Sequence, residues 1–155
     1  ADLVVVFATT RTVTSNVYPE EIAKRCPNVE VIQQACPGLV DAIEAGATTV
    51  DGIVADACQR AISRCGGRRP DRVILGCTHF PIVAQHFVRH LPDDVRVLSQ
   101  PQTVADSLED YLARHPGYSA ADKDRSIKLM TTGDSNTVTT GARRMWPEMP
   151  ELVRI

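Results

Sequence analysis

The chain has 155 residues, 43% of them apolar, with 17 basic and 19 acidic side chains and a formal charge of −2. That composition suits a folded chain with a sizeable core and argues against a disordered chain. The balanced charge gives no electrostatic footprint for nucleic acid or for an anionic membrane, and aromatics at 5% leave few stacking platforms for single strands.

The first predicted element is a strand over Leu3–Phe7, a continuous apolar run rich in β-branched residues and expected to be covered on both faces. It is strand-length, far too short to cross a bilayer. Ser15 or Asn16 is positioned to cap a helix from about Pro19 to Arg25, with Glu20 and Glu21 in its favourable first turn. Val29–Ile32 reads as a second strand. A helix over Asp51–Cys65 places Val54, Ala57, Cys58, Ala61, Ile62 and Cys65 on one face and stops at Gly66 and Gly67. Arg72–Leu75 is a third strand, and Pro81 opens a helix running to about His90. Val95–Leu98, Ile127–Met130 and Leu152–Ile155 are further strands, with helices over Thr103–Ala113 and Thr137–Trp146 between them. The polar, breaker-rich stretch from His115 to Asp124 reads as an exposed loop. Strands alternating with helices predict an α/β fold, a mostly parallel sheet flanked by helices.

Five cysteines, an odd number without regular spacing and with no signal peptide ahead of them, read as reduced thiols of a cytoplasmic protein. The chain opens on Ala1-Asp2 and enters a strand at once, which suggests a processed or truncated chain.

Chemistry is most densely coded in Val73–Pro81. A buried strand delivers the chain to Gly76, and a helix begins near Pro81, so Cys77, Thr78 and His79 occupy the turn at the carboxyl end of a parallel strand, where α/β proteins build their sites. A helix N-terminus facing a thiol favours the thiolate. His79 can exchange a proton with that sulfur or with a ligand, and Thr78 offers a hydroxyl and an N–H to a carboxylate. The plainer reading of Cys77 is a small buried hydrophobe, and its polar neighbours weigh against it. A metal reading of Cys-x-His is disfavoured because no paired CxxC spacing supplies further ligands.

Two other segments reach the same sheet edge. Thr9–Ser15 carries five hydroxyl side chains ahead of a helix, either an anion cradle or a capping loop; it lacks the glycines and the lysine of a phosphate loop. Ala35–Gly46 carries Cys36 and Glu44, the latter on a short helix ended by Gly46, where a solvated carboxylate is the commoner fate.

Read together, these segments resemble the glutamate racemases of the aspartate/glutamate racemase family, matching the second half of that family along nearly the whole chain. Thr9–Ser15 with Tyr18 is similar to its Thr-x-x-Thr-Val-x-Ser-x-x-Tyr segment, and Cys36–Val40 with Ile43, Glu44 and Gly46 to its Cys-Pro-x-x-Val and Glu-x-Gly segment. Leu75–Pro81 is similar to its second catalytic motif, the most specific of the three, and Thr132-Gly133-Asp134 stands where the family often has Thr-Gly-Asp. The resemblance implies a cofactor-independent, metal-free amino-acid racemase that interconverts L- and D-glutamate with two thiols, one on each face of the α-carbon, and supplies D-glutamate for the peptidoglycan cell wall. It implies that Cys77 is the second acid/base, His79 assists it, Glu44 tunes the proton-transfer network, Thr78 holds the substrate carboxylate, and Thr9 and Thr12 line the pocket. The partner expected is a small amino acid, with no nucleic acid or membrane and with a homodimer as an open option.

The match also has gaps. The family's Asp-Ser-Gly, Pro-Tyr-Gly and first catalytic Cys-Asn-Thr segments are not among these residues, and Ser135-Asn136-Thr137 lacks the sulfur. Gly38 and Asp41 replace bulkier and proline residues. The resemblance therefore implies one complete racemase-type lobe (1–99) bearing Cys77, Thr78 and His79, and a returning segment (100–155) of an incomplete first lobe. Such a chain holds half a site. A non-catalytic carboxylate-binding or interaction fragment, and another family member acting on aspartate or hydantoin, are the competing readings.

Overall fold

The computed structural model describes residues 2–118, 127–143 and 146–155. It divides into two compact units, Ala1–Asp106 and Ser107–Ile155.

The first unit is built on β1 (Leu3–Ala8), β2 (Glu30–Ala35), β3 (Arg72–Leu75) and β4 (Arg96–Leu98), all parallel, in the order β2-β1-β3-β4. Between β1 and β2 lie α1 (Thr10–Ser15) and α2 (Val17–Arg25), and between β2 and β3 lie α3 (Leu39–Ala45) and α4 (Val50–Arg64). A 3-10 turn over Phe80–Val83 and then α5 (Ala84–His90) lead to β4, and α6 (Gln100–Arg114) follows. This is the helix-flanked parallel α/β architecture expected from the sequence.

β1 explains the layering. All six of its residues are buried, and the pleat sends them to alternate faces. Leu3, Val5 and Phe7 enter the larger core with residues of α3, α4 and α5, while Val4, Val6 and Ala8 form a smaller core with Val13, Tyr18, Val31 and Ile74. In the larger core Phe87 sits 5.0 Å from Phe7 and 5.8 Å from Phe80, centroid to centroid, in tilted pairs. On α4 the buried positions are Val50, Val54, Ala57, Cys58 and Ala61, and Cys65 caps it. Ile62, expected on the same face, is only partly buried against that core. Gly66 and Gly67, at φ 62° and 80°, then turn the chain as the sequence predicts.

Three elements differ from expectation. Thr9–Ser15, read as a loop, folds into α1. The helix predicted from Pro81 to His90 is split in two, because Phe80 and Val83 are both buried and the three-residue period of a 3-10 turn aligns them on one edge. The aligned dipole facing Cys77 is thus only one short turn long. β2 runs to Ala35 rather than Ile32, because Gln33 and Gln34 continue the ladder to Val6 and Phe7.

The second unit contains β5 (Leu129–Thr131) and β6 (Leu152–Arg154), a parallel pair in register Leu129↔Leu152, and α7 (Ser135–Arg143). Asp134 caps α7, accepting the Thr137 N–H at 2.8 Å and the Thr137 hydroxyl at 2.8 Å. Those hydrogen bonds, the backbone one first, hold its carboxyl below the usual range. Ser135-Asn136-Thr137 is simply the first turn of this helix. The predicted loop over 115–124 falls partly outside the described residues, as does the end of the predicted Thr137–Trp146 helix. No helix among the described residues is long and apolar enough to cross a membrane.

Candidate active site at the carboxyl edge of β1 and β3

The strand order creates the site. From β1 the chain crosses to β2 on one side, then returns over the sheet to β3 on the other, so the crevice outside the carboxyl ends of β1 and β3 is a topological switch point. Pairing of Phe7 with Leu75 brings the two ends level, and the Gly76 N–H donates to the Phe7 carbonyl at 2.7 Å. Two residues further on, Thr9 stands on one side and Cys77 on the other.

Cys77 is half-buried and packs against the larger core, and its carbonyl accepts the Phe80 N–H at 3.2 Å as the 3-10 turn begins. Thr78 is exposed on the tip of the turn. His79 places Nε2 3.0 Å from Glu44 Oε1, joining the β3 turn to the end of α3. Gly46, at φ 63°, stops α3 directly after Ala45, which leaves Glu44 in its last turn. Cys36, two residues before α3's own cap, turns inward instead: it is 3% exposed, and burial pushes its thiol up to about 12. Of the cysteines at this edge, Cys77 is the one open to solvent.

The Thr9 side chain caps α1, accepting the Thr12 N–H at 3.3 Å, and the two hydroxyl oxygens lie 3.0 Å apart. The Thr14 and Ser15 hydroxyls donate to the carbonyls of Thr10 and Thr12 within the helix. Two of the five hydroxyls of the expected cradle are thus committed within the helix, while Thr9 and Thr12 pair at its mouth.

Two residues without an assigned role in the sequence reading also reach this edge. Tyr18, on α2, lies against Gly76, and the Gln100 side-chain amide donates to its phenol oxygen at 2.7 Å. Tyr18 was legible only as part of a motif. Gln100 lies 82 positions away in sequence and carried no signal. Two surface grooves lie elsewhere, one of about 640 Å³ between α4 and the end of α5 and one of about 290 Å³ beside Gly46, Asp51 and His86; neither is lined by Cys77. The site is identified by topology and by the chemistry converging there. No group of three or more metal-ligating side chains is found among the described residues.

No family model matches the chain. Curated relatives do: the chain is 44% identical over 142 residues to the glutamate racemase of Roseobacter denitrificans, covering 90% of this chain and 50% of that protein. It is 43% identical over 139 residues to the glutamate racemase of Paracoccus denitrificans, covering 88% and 49%. The chain is a homologue of glutamate racemases. It spans about half the length of the curated relatives it matches. Among solved structures, the glutamate racemase of Francisella tularensis, crystallised with D-glutamate, superposes with a TM-score of 0.84 at 24% identity, over 100% of this chain and 57% of that one. At that identity the likeness speaks for the fold of this homologue.

Proposed function

We propose that this chain supplies one half of a cofactor-independent glutamate racemase, with Cys77 as the acid/base on one face of the substrate α-carbon. The observation that carries the reading is the Cys77–Thr78–His79 turn at the switch-point crevice, with His79 Nε2 3.0 Å from the Glu44 carboxylate. Inverting a stereocentre needs a base on one face and an acid on the other. The Cys77 thiolate takes the α-proton and becomes a thiol, the electron pair delocalises into the carboxylate, and a thiol across the carbon returns a proton to the opposite face. In the reverse direction Cys77 is the donor. His79, oriented by Glu44, assists proton movement at the sulfur. Thr78, Thr9 and Thr12 offer hydroxyls and N–H groups to the substrate carboxylate. In this reading residues 1–99 are the lobe that carries Cys77 and 100–155 the returning segment of the other lobe. The product is D-glutamate for peptidoglycan in the cytoplasm, with no metal or cofactor taking part.

Within these residues the edge offers a single open thiol, which permits α-proton exchange on one face but no inversion, so the 155-residue chain alone is expected to show little or no racemisation. D-glutamate formation by the full-length protein and by its Cys77→Ser variant tests the assignment. The variant should lose turnover by about three orders of magnitude or more, the scale of losing a positioned acid/base. Equal turnover removes Cys77 from the mechanism. The single open thiol also favours a second reading, a carboxylate-binding fragment without catalysis, which predicts saturable glutamate binding with no loss of α-deuterium. A panel of amino acids separates glutamate from aspartate and hydantoin substrates.

A further inference from the structure

Tyr18 is held at two points. An ideal Cβ built on Gly76 would stand 2.9 Å from Tyr18 Cε2, 3.0 Å from Cζ and 3.1 Å from the phenol oxygen, so the tip of the ring occupies the space that any side chain at position 76 would need. The phenol oxygen in turn accepts the Gln100 amide at 2.7 Å, fixing the ring from the side of α6. Gly76 is the residue from which the Cys77 turn departs, and the ring seals the sheet face opposite the core against which Cys77 packs. We infer that Tyr18 is a positioning residue of this site: clamped between Gly76 and Gln100, it fixes the departure of the turn that carries Cys77, Thr78 and His79.

The phenol's titration supports that placement. Burial raises it above its ordinary value, the Gln100 hydrogen bond lowers it, and negative charge on Cys77 raises it. Burial keeps the phenol neutral, and the Gln100 hydrogen bond holds it rigid while the Cys77 sulfur alternates between thiol and thiolate. The inference rests on the acid/base reading of Cys77 for its consequence in catalysis, but its placement is testable without turnover.

The test is a tyrosinate absorbance titration of the 155-residue chain, with the Tyr18→Phe chain subtracted to isolate Tyr18 from Tyr111 and Tyr118. Cys77→Ser should lower the Tyr18 midpoint, and Gln100→Leu should raise it. A ring that merely fills space would ignore a change of sulfur for oxygen at position 77. As a second measurement at neutral pH, iodoacetamide labelling of Cys77, followed by peptide mass mapping, should run several-fold faster in Tyr18→Ala and near the parent rate in Tyr18→Phe, which keeps the ring. A Tyr18 midpoint unmoved by Cys77→Ser, or Tyr18→Ala labelling at the parent rate, overturns the inference. If the midpoint follows Cys77 while Cys77→Ser keeps full D-glutamate formation, the positioning role stands and the racemase reading falls.

Discussion

β1 buries six consecutive residues, whereas β5 and β6 contribute not one buried side chain. Both sheets are parallel, and a parallel sheet normally needs cover on both faces. In the first unit that cover comes from helices on each side of an interior strand. A two-stranded sheet has no interior strand and gains little stability by itself. Among the described residues of the second unit Met149 is the buried hydrophobic side chain, while Met130, Trp146, Val153 and Ile155 stay exposed. The candidate site follows the same division: Cys77, His79, Glu44, Thr9 and Tyr18 all belong to the unit whose strands are covered. The difference teaches that the first unit carries its own packing energy and can hold a turn rigid enough for proton transfer.

The sharpest way to break that contrast is to remove equivalent apolar contacts from each unit. Phe87 is fully buried and contacts Phe7 while lying close to Phe80, so Phe87→Ala should cost about 3–5 kcal/mol in denaturant unfolding. Val153 on β6 is 43% exposed, and Val153→Ala should change stability by no more than about 0.5 kcal/mol. Comparable losses at the two positions would mean that the second unit has a core of its own.

A smaller effect sharpens the contrast at the site. Gly76→Ala forces a methyl group into the Tyr18 ring at 2.9 Å, and Gln100 prevents the ring from swinging freely away. The expected cost is about 1–3 kcal/mol, the range for overpacking a filled space. The double variant Gly76→Ala/Tyr18→Ala should recover part of it, giving a favourable coupling in a double-mutant cycle. Strict additivity would show that the two residues do not compete for the same volume.

How much of this was legible in sequence depends on the range of the interactions. The continuous apolar run of β1 and the one-sided pattern of α4 are local signals of burial, and they located the core. The turn after β3 was legible because strand, glycine and proline punctuate it within nine residues. α1 was not legible. Thr10, Thr12, Val13 and Thr14 are poor helix formers, and the helix is held instead by the Thr9 cap and by Val13 packed against the smaller core. The Glu44–His79 contact joins residues 35 positions apart, so only the family resemblance linked them before the fold did. The hydrogen bonds of Asp51 went unread as well, although His86 and His90, four apart on one helix, form the spacing that could have pointed to a shared partner.

Asp51 gives the smallest effect expected, and the direction of its pH dependence is fixed. It lies in the first turn of α4, where the helix dipole favours a carboxylate, and its Oδ1 receives His86 Nδ1 at 2.7 Å, Arg89 Nη1 at 3.0 Å and His90 Nε2 at 3.1 Å, all from α5. The His86 hydrogen bond first, then that of His90, with added charge from His90 and Arg89, lowers its carboxyl to about 2 from the usual 3.8. A carboxylate whose folded value lies below its unfolded value adds stability that is fully present above about pH 4 and is lost as pH falls through about 2. Asp51→Asn removes the titrating group, so the variant should lose stability less steeply than the parent between those limits, while being the weaker protein at neutral pH. Denaturant midpoints measured from pH 7 down to pH 2 for both proteins read this directly. Because α5 follows immediately on the 3-10 turn after His79, parallel acid limbs in the two proteins would mean that the α4–α5 clasp contributes nothing to holding the element on which the Cys77 turn rests.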